Sequence, residues 1–538
     1  MKKIFRSLGL LTLAGAALLT VSSCSVFGET YYYKYDSATK GYAVTGLKNY
    51  TSNSITIPSK HNNKKVTKIA DDAFEGWDIL KKIKLPSSIK VIGDDAFKDC
   101  KSLTSFTVPS KVEEIGDNAF DGCISLETVS LPDSLVYFGD YVFDDCDKLS
   151  FDGAETDTNA VYFNDILIKL TDTGKTQSEI TVKDGTKFIN SNVFENNTNI
   201  TKVTLPNTVT TVCAEAFNGA SNLTSVNIPT SLIQVGSKAF YGFDNLTELK
   251  LTSDKEIRLK ENALENCTNL KTVELNGNAI IERQALVGSG VESIKVTGSA
   301  TFAEHVTTTS EGSTILNNEA FKNVTSLTTV DLGEGSVIGT NTFEGCTSLA
   351  TLTMTNVKAI KANAFTGCTS LATVVLPESL EELGNGAFKD CTGLTSAKIN
   401  ESKVTMIGSG SSTSTDYGVF EGCTSLATVT LNGKITEINF KSFSGCTSLT
   451  SVTGIENVEI IAGSTFEGCT SLALFSVSKN LEQIGGNAFA GCTSLTTFTY
   501  AGDKDAWEKL VIAETAFTGS ALTEITCSNG TISLTSSK

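Results

Sequence analysis

The sequence predicts a repeat solenoid, a coil of stacked units built mostly from short parallel β-strands joined by single helical or 3-10 turns. A phenylalanine recurs along most of the chain, mostly every 22 to 24 residues and with leucine in two copies. A short apolar alternation follows most copies, and proline often ends that alternation. A unit of this length cannot bury its apolar side alone, so successive units must stack. The recurring positions, called anchors below, are Phe74, Phe97, Phe120, Phe143, Phe194, Phe217, Phe240, Leu264, Leu286, Phe321, Phe343, Phe365, Phe388, Phe420, Phe443, Phe466, Phe489 and Phe517.

Residues 1–24 are predicted to be a signal peptide that ends in a lipobox. Lys2, Lys3 and Arg6 supply a positive start, and residues 8–21 form an uncharged, mostly apolar run that is short for a membrane span. The ending Val-Ser-Ser-Cys resembles the bacterial lipobox, in which the cysteine, here Cys24, is lipidated and becomes the new N-terminus. The alternative is an ordinary signal peptide with a cysteine near its cleavage site.

The repeats divide the remaining chain into a long central domain and two caps. We assign residues 25–66 to an N-terminal cap with the first strand and residues 501–538 to a C-terminal cap. Residues 67–500 form the solenoid, because stacked repeats escape the usual limit on the size of one core. Anchor spacings that exceed the period place insertions near residues 151–180, 297–313 and 408–416.

Within one unit, residues 126–131 show the expected strand pattern. Leu126, Val129 and Leu131 fall on the inner side, while Thr128 and Ser130 point outward. The anchor is predicted to fill the interior of the coil from a single helical or 3-10 turn. Glycine is frequent four residues before the anchor, as at Gly93, and this preference predicts a left-handed backbone there.

Eleven of the fourteen cysteines occupy one slot, three residues after an anchor. A metal or disulfide ladder is one interpretation. Other units place alanine, valine or phenylalanine in the same slot, and the paired spacing of a zinc site is missing. The pattern therefore favours buried free thiols that act as small apolar side chains. The slot contains Cys100, Cys123, Cys146, Cys267, Cys346, Cys368, Cys391, Cys423, Cys446, Cys469 and Cys492.

The outward strand positions are rich in short hydroxyl side chains and form the candidate binding face. Threonine favours strands in any case, so the pattern is also consistent with a purely structural role. A binding role would use many weak hydrogen bonds to an extracellular protein or glycan. The candidate residues are Thr351, Thr353, Thr428, Thr430, Thr497 and Thr499.

Charge and composition argue against several classes of function. The formal net charge of -17 and pI near 4.8 disfavour binding to nucleic acid, and they leave a lipid anchor as the expected route to a membrane. The chain has only two histidines, His61 and His305, and the outward face contains no converging acid, base or nucleophile. We therefore expect no enzyme activity, no cofactor and no metal.

The repeat phrase Ala-Phe-x-Gly-Cys-Thr-Ser-Leu at 364–371 and 488–495, with Leu-Pro-x-Ser-Leu-x-x-Leu-Gly at 376–384, carries a family resemblance. The phrase resembles the leucine-rich repeats of BspA-like bacterial surface proteins. Residues 43–46 and 55–58 resemble that family's entry cap, and Trp507 with residues 526–530 resembles its closing segment. The resemblance covers nearly all of the chain after Cys24. It implies a right-handed leucine-rich solenoid on a bacterial cell surface, and no binding residues transfer with it.

We therefore expect a secreted, membrane-anchored and non-catalytic adhesin or recognition protein of the bacterial surface. Characterised members of the resembled family are associated with adhesion to host proteins and to other bacteria. A surface lipoprotein that captures glycans is the main alternative, and a structural protein of the envelope is the other.

Overall fold

The computed structural model describes residues 22–26, 29–48, 51–150, 154–308, 314–399, 402–408 and 417–534. The chain divides into two compact units, called the N-terminal unit, which ends at Gly242, and the C-terminal unit, which begins at Phe243. Each unit is a parallel-strand solenoid with almost no helix. The predicted leucine-rich repeat coil is thereby confirmed. The predicted signal segment before residue 22 lies outside the described residues.

The N-terminal unit opens with a cap of six strands: β1 (Ser22–Val26), β2 (Glu29–Asp36), β3 (Gly41–Leu47), β4 (Ser54–Thr56), β5 (Lys60–His61) and β6 (Lys64–Ile69). β1, β2 and β3 form an antiparallel meander, and β6 then adds in parallel to β3. β5 pairs antiparallel with β6. β3 is therefore antiparallel to β2 on one side and parallel to β6 on the other, and the parallel ladder of the repeats continues from β6.

Each repeat contributes two strands, which we call the face strand and the back strand. The face strand follows the cysteine slot and alternates exposed and buried side chains, and the back strand precedes the next anchor. In the N-terminal unit the face strands are β4, Lys82–Lys84, Ser105–Thr107, Thr128–Ser130, Glu179–Thr181, Lys202–Thr204 and Ser225–Val226. The back strands are β6, Val91–Ile92, Glu114–Ile115, Tyr137–Phe138, Phe188–Ile189, Thr211–Val212 and Gln234–Val235.

The C-terminal unit repeats the same plan. Its face strands are Glu248–Thr252, Thr272–Asn276, Ser293–Val296, Thr329–Leu332, Thr351–Met354, Thr373–Val375, Ser396–Lys398, Thr428–Thr430, Ser451–Thr453, Leu474–Val477, Thr497–Tyr500 and Glu524–Cys527. Its back strands are Ile257–Leu259, Ala279–Ile281, Ala300–Phe302, Val337–Ile338, Ala359–Ile360, Glu382–Leu383, Met406–Ile407, Glu437–Ile438, Ile460–Ile461, Gln483–Ile484 and Val511–Ile512. The last face strand pairs antiparallel with Gly530–Ser533.

Two of the predicted insertions contain extra strands. Around the first, Glu155–Thr156, Ala160–Phe163 and Ile166–Leu170 form an antiparallel meander, and the last of these strands joins the parallel ladder. Around the second, His305–Thr308 and Thr314–Asn317 form a hairpin. Most of the third, residues 409–416, lies outside the described residues.

The anchors fill the interior of each unit as stacked rings. Phe365 lies between Phe343 and Phe388, with both ring centroids 5.2 Å away and interplanar angles of 9° and 2°. All three rings are fully buried. The repeat spacing therefore places one ring above the next, which explains why the anchor tolerates little besides phenylalanine and leucine.

The anchor segment is a turn rather than a helix. The Phe97 N–H donates to Ala119 O of the next repeat at 2.9 Å, so this bond joins repeats and does not close a helical turn. Asp95, two residues before the anchor, has a φ of 51°, which interrupts any helix. In the described residues, the only helices are Gly174–Thr176, a 3-10 helix, and Lys504–Trp507, and neither includes an anchor.

The prediction of a left-handed glycine four residues before the anchor is wrong. Gly93 does not have a positive φ, and its role is to allow close approach. A Cβ there would lie 2.6 Å from Asp71 N and 2.8 Å from Ala70 C. The left-handed residue lies two positions further on, where Asp95 and Asn118 adopt φ of 51°.

Candidate functional site

The six candidate threonines lie on three face strands of the C-terminal unit, and their strands place them on the outer side. Thr351, Thr353, Thr428 and Thr497 are exposed, while Thr430 and Thr499 are half-buried. The alternate residues on the same strands, such as Val429 and Phe498, are buried. The structure therefore gives the six side chains the outward direction that the sequence pattern predicts.

The three strands belong to three separate sheets. Thr351–Met354 is the last strand of a five-stranded sheet, Thr428–Thr430 lies within a four-stranded sheet, and Thr497–Tyr500 lies within another. In-register neighbours extend each pair: Thr428 faces Ser396 on one side and Ser451 on the other. The candidate residues thus form three local patches of hydroxyl groups.

Charge distinguishes these strands from the rest of the face. From Thr351 to Thr499, the outward positions of the face strands include one charged residue, Lys398. We call this set the hydroxyl face: Thr351, Thr353, Thr373, Val375, Ser396, Lys398, Thr428, Thr430, Ser451, Thr453, Leu474, Ser476, Thr497 and Thr499. The earlier strands of the same unit carry charges instead, including a Lys250 Nζ to Glu274 Oε2 ion pair of 2.6 Å.

Two apolar residues of the hydroxyl face were missed by the sequence interpretation. Val375 and Leu474 are each 60% exposed. In the strand register Val375 is paired with Lys398 and Leu474 with Thr497, so both interrupt a polar outward row. Single exposed apolar side chains are common on protein surfaces, and these two lie on separate sheets, but a partner that covered either would gain from its burial. A valine or leucine in an outward slot is the sequence signal that would have found them.

A second row of threonines follows the cysteine slot in the turn before each face strand. These residues, Thr347, Thr369, Thr424, Thr447, Thr470 and Thr493, are all exposed and are called the turn row below. Several of their hydroxyls donate to the previous repeat, as Thr447 Oγ1 does to Thr424 O at 3.2 Å. The turn row is a second repetitive surface with the same chemistry as the face.

The cysteine slot is confirmed as a packing position. Every cysteine in it is a free thiol, and all except the half-buried Cys146 are buried. Each thiol of a consecutive run donates to the anchor carbonyl of the preceding repeat, as Cys446 Sγ does to Phe420 O at 3.1 Å. Burial raises the pKa of the Cys346 thiol to about 12. Such thiols are poor nucleophiles and poor metal ligands, since both roles need the thiolate.

The described residues contain no group of three or more histidine, cysteine or acidic side chains arranged to hold a metal ion. His61 is buried in the cap and stacks on Tyr33 with a centroid distance of 4.0 Å, and burial lowers its pKa. His305 begins a strand of the inserted hairpin. Asp144 and Asp145 are exposed, and desolvation together with the nearby Asp145 charge raises the pKa of Asp144.

A row of aspartates joins successive repeats of the N-terminal unit. The Asp94 carboxylate accepts from Asp117 N at 2.8 Å, and the Asp117 carboxylate accepts from Asp140 N at 2.7 Å. Asp140 is buried and accepts from Ala214 N at 2.7 Å and from Ser237 N at 3.0 Å. These carboxylates accept hydrogen bonds from backbone N–H groups of a neighbouring repeat, as backbone carbonyls do elsewhere in the coil, so their role is structural.

Cys24, the predicted lipidation site, lies within β1 and is opposite Tyr31 of β2 in the strand register. β1 is an edge strand of its sheet. Among the described residues, no helix is long and apolar enough to cross a membrane.

Comparison with known proteins gives a family match and several structural similarities. The chain matches the family described as "BspA type Leucine rich repeat region (6 copies)" over residues 45–156, 187–311, 303–415 and 409–511. No curated protein matches its sequence.

Among solved structures, the chain is similar to a leucine rich cell surface protein from Faecalibacterium prausnitzii, with 21% identity and a TM-score of 0.27 over 92% of this chain and 99% of that one. It is also similar to a leucine-rich repeat protein from Bacteroides ovatus, with 20% identity and a TM-score of 0.25 over 88% and 99% of the two chains. A third similar structure is the pneumococcal vaccine antigen PcpA, with 16% identity and a TM-score of 0.24 over 58% and 94%.

Proposed function

This chain belongs to the BspA-type leucine-rich repeat family, and from this premise we propose that it is a non-catalytic recognition protein of the bacterial cell surface that binds an extracellular partner through the hydroxyl face. The observation that carries the proposal is the composition of that face. Its outward positions are short hydroxyls with two exposed apolar side chains and a single charge.

A protein is the partner that this face fits best. Val375 and Leu474 gain from burial, and burial of apolar area is the main favourable term in most protein association. The surrounding threonines and serines offer hydrogen bonds that each contribute about 0.5 to 1.5 kcal/mol net. Recognition therefore depends on many small contributions spread over several repeats rather than on one dominant residue.

Glycan capture is the second candidate function. The same hydroxyl groups suit sugar hydroxyls, but no outward position of the hydroxyl face carries an aromatic ring. The exposed Val375 and Leu474 therefore favour a protein partner over a sugar.

We place the protein on the outer surface through acylation of Cys24. The support is the lipobox-like ending at residues 21–24.

The test of the proposed function is a binding array that carries extracellular-matrix proteins and purified glycans. The probe is the chain from residue 25 to 538, compared with a variant in which the six candidate threonines are replaced by lysine. A matched control replaces the six turn-row threonines by lysine, which makes the same change of charge on a different surface.

We expect the wild-type chain and the turn-row variant to bind the same matrix protein, and we expect the face variant to lose at least tenfold in affinity with its thermal transition nearly unchanged. Equal binding by the folded face variant would place the site elsewhere. Binding to glycans alone would favour the capture function.

A further inference from the structure

The cap has a charge opposite to that of the rest of the protein. Residues 29–70 contain seven lysines and two acidic residues, which is a net charge of +5. Residues 1–28 carry a further net charge of +3. The chain from residue 71 onward therefore carries a net charge of -25, which brings the total to -17. The charge of the whole chain, which disfavours anionic partners, therefore conceals a locally cationic element.

Four of the cap lysines gather at one end of its sheet. The turn between β2 and β3 carries Lys40, and the turn between β5 and β6 is flanked by Lys60, Lys64 and Lys65. Because β6 runs parallel to β3, the two turns lie at the same end. We call this end, with its four lysines, the lysine end.

Contacts between the two turns support this placement. Thr39 Oγ1 of the first turn lies 2.7 Å from Thr67 Oγ1 of β6. A Cβ on Gly41 would come within 2.8 Å of Lys65 O, so the β3 backbone passes closely beside β6. In the β5–β6 pair, Lys60 is directly opposite Lys65.

The lysines of this end are not neutralised by the protein. In the described part of the chain, none of the four makes an ion pair, although Lys64 Nζ lies 4.1 Å from the centre of the exposed Tyr35 ring. The neighbouring carboxylate of Asp36 accepts hydrogen bonds from its own turn, from Ala38 N and Thr39 N.

Lysines of the repeats behave differently, since many of them pair with an acid of the same or a neighbouring repeat. Examples are the ion pairs Lys98 to Asp121 at 3.1 Å, Lys187 to Asp165 at 2.8 Å and Lys271 to Glu292 at 3.0 Å. Four unpaired lysines at one end of a sheet are therefore a departure from the pattern of this chain.

Acidic residues lie at the opposite end of β6. Asp71 and Asp72 follow Ile69, which is about 17 Å from Lys64 along the strand. Exposed charges separated by more than about 10 Å are largely screened at 0.1 M salt. The lysine end therefore presents its positive charge without cancellation from the acids that follow β6.

The predicted anchor lies on the same cap sheet as this surface. β1 runs antiparallel to β2, so its amino end points toward the turn that carries Lys40. Cys24 is opposite Tyr31, which is about 17 Å along β2 from Asp36, where that turn begins. An acyl chain on Cys24 would thus hold at the membrane the cap that carries the lysine end.

We propose that the lysine end of the cap docks on an anionic lipid surface and that it acts together with the acyl anchor of the same cap. A lipid anchor and a basic patch are complementary, because each lysine near an anionic membrane adds to the attraction that the acyl chains provide. The cap would then fix the lipid-proximal end of the protein, and the acidic repeats would be repelled from the same surface. The inference rests on the proposed surface location but not on the hydroxyl face.

The experiment measures partition of the chain from residue 22 to 538, made without acylation, onto vesicles. One set contains three parts phosphatidylglycerol to seven parts phosphatidylcholine, and the other contains phosphatidylcholine alone. The variant carries Lys40→Glu, Lys60→Glu, Lys64→Glu and Lys65→Glu. The matched control makes the same substitution at the exposed repeat lysines Lys255, Lys358, Lys434 and Lys479.

We expect the wild-type chain to bind the anionic vesicles in 50 mM salt and to be released in 500 mM salt. Each lysine at an anionic surface contributes about fivefold, so the cap variant should lose at least about 100-fold in partition. The control variant should bind about as well as the wild type, because its substitutions lie outside the docking surface. Both variants should keep the wild-type thermal transition.

Three results would overturn the proposal. The first is absence of wild-type binding to the anionic vesicles. The second is an equal loss of vesicle partition in the cap variant and the control variant. The third is stronger, cap-dependent binding to a short duplex DNA than to vesicles, which would assign the lysine end to nucleic acid. The binding array with the face variant is independent of all three, so failure here leaves the proposed recognition function to its own test.

Discussion

The stacked anchors give the sharpest prediction about stability, and Phe365 is the best position to test it. Its ring lies 5.2 Å from the rings of both neighbouring anchors and is fully buried. Replacing a buried phenylalanine by alanine costs about 3 to 5 kcal/mol, which includes two ring contacts of about 0.5 to 1.5 kcal/mol each. Phe365→Leu keeps an apolar side chain in the slot but also loses both ring contacts, so it should cost less than the alanine change, about 1 to 3 kcal/mol. Leu264, which is buried in the same slot, shows that leucine fits.

Native-state hydrogen exchange is the appropriate assay, because long repeat arrays depart from two-state unfolding. The Phe343 N–H donates to Ala364 O and the Phe365 N–H donates to Ala387 O, each at 2.8 Å. A loss of about 4 kcal/mol corresponds to about 1000-fold faster exchange of these amides in Phe365→Ala, and Phe365→Leu should speed their exchange by only about 5- to 150-fold. The Phe97 amide, which belongs to the other unit, should keep its protection.

Equal acceleration by the alanine and leucine variants would show that leucine restores none of the lost stabilisation, which would contradict the expectation that apolar volume in this slot stabilises the stack. Loss of protection at Phe97 as well would contradict a solenoid in which each repeat depends on its neighbours.

Three further predictions concern thiols, anchoring and pH. Cys446 should resist alkylation at pH 8 in the folded chain and react after unfolding without prior reduction, because burial raises the thiol pKa well above its usual value; a mass map with bridged cysteines would contradict this. Cys24→Ala should abolish incorporation of a fatty-acid analogue in bacteria, and undiminished labelling would exclude acylation there. Burial and the nearby Asp95 raise the pKa of Asp72 to about 6, so ionisation of Asp72 opposes folding as pH rises above its unfolded value near 4. Asp72→Asn should therefore raise the free energy of unfolding of the N-terminal repeats by about 1 kcal/mol at pH 8, after a discount for partial exposure. It should leave that free energy unchanged at pH 3, as measured by urea titration. An equal increase at both pH values would exclude the charge as the cause.

The repeat architecture was predictable because its causes are periodic in sequence. The spacing of Phe343, Phe365 and Phe388 alone places one ring above the next, and the alternation in each face strand assigns its buried side. These features depend on residue type and spacing within one repeat, which the sequence displays directly.

Features that depend on distances between repeats were not predictable. Glycine at position 93 was assigned to a positive φ, but the structure shows that the Asp71 backbone leaves no room for a Cβ. Glycine is favoured for either reason, so residue type cannot separate them. The bond from Cys446 Sγ to Phe420 O also needs the separation of two repeats, which composition does not contain.

The candidate site was predictable only in part. The outward direction of Thr351 and Thr428 follows from strand alternation, but the division of the candidate residues among three sheets depends on pairing between repeats. The exposed Val375 and Leu474 interrupt the hydroxyl pattern, so that pattern does not predict them. The cationic lysine end was hidden because the net charge of the chain averages over regions of opposite sign.

The central claim is that the hydroxyl face carries recognition, and attachment of cells tests it most directly. Bacteria that display the wild-type chain, the face variant or the turn-row variant would be passed over a surface coated with the matrix protein found on the array, at equal display levels. We predict attachment by cells with the wild-type chain and the turn-row variant, and at least tenfold weaker attachment by cells with the face variant. Equal attachment by all three, or loss only with the turn-row variant, would contradict the claim.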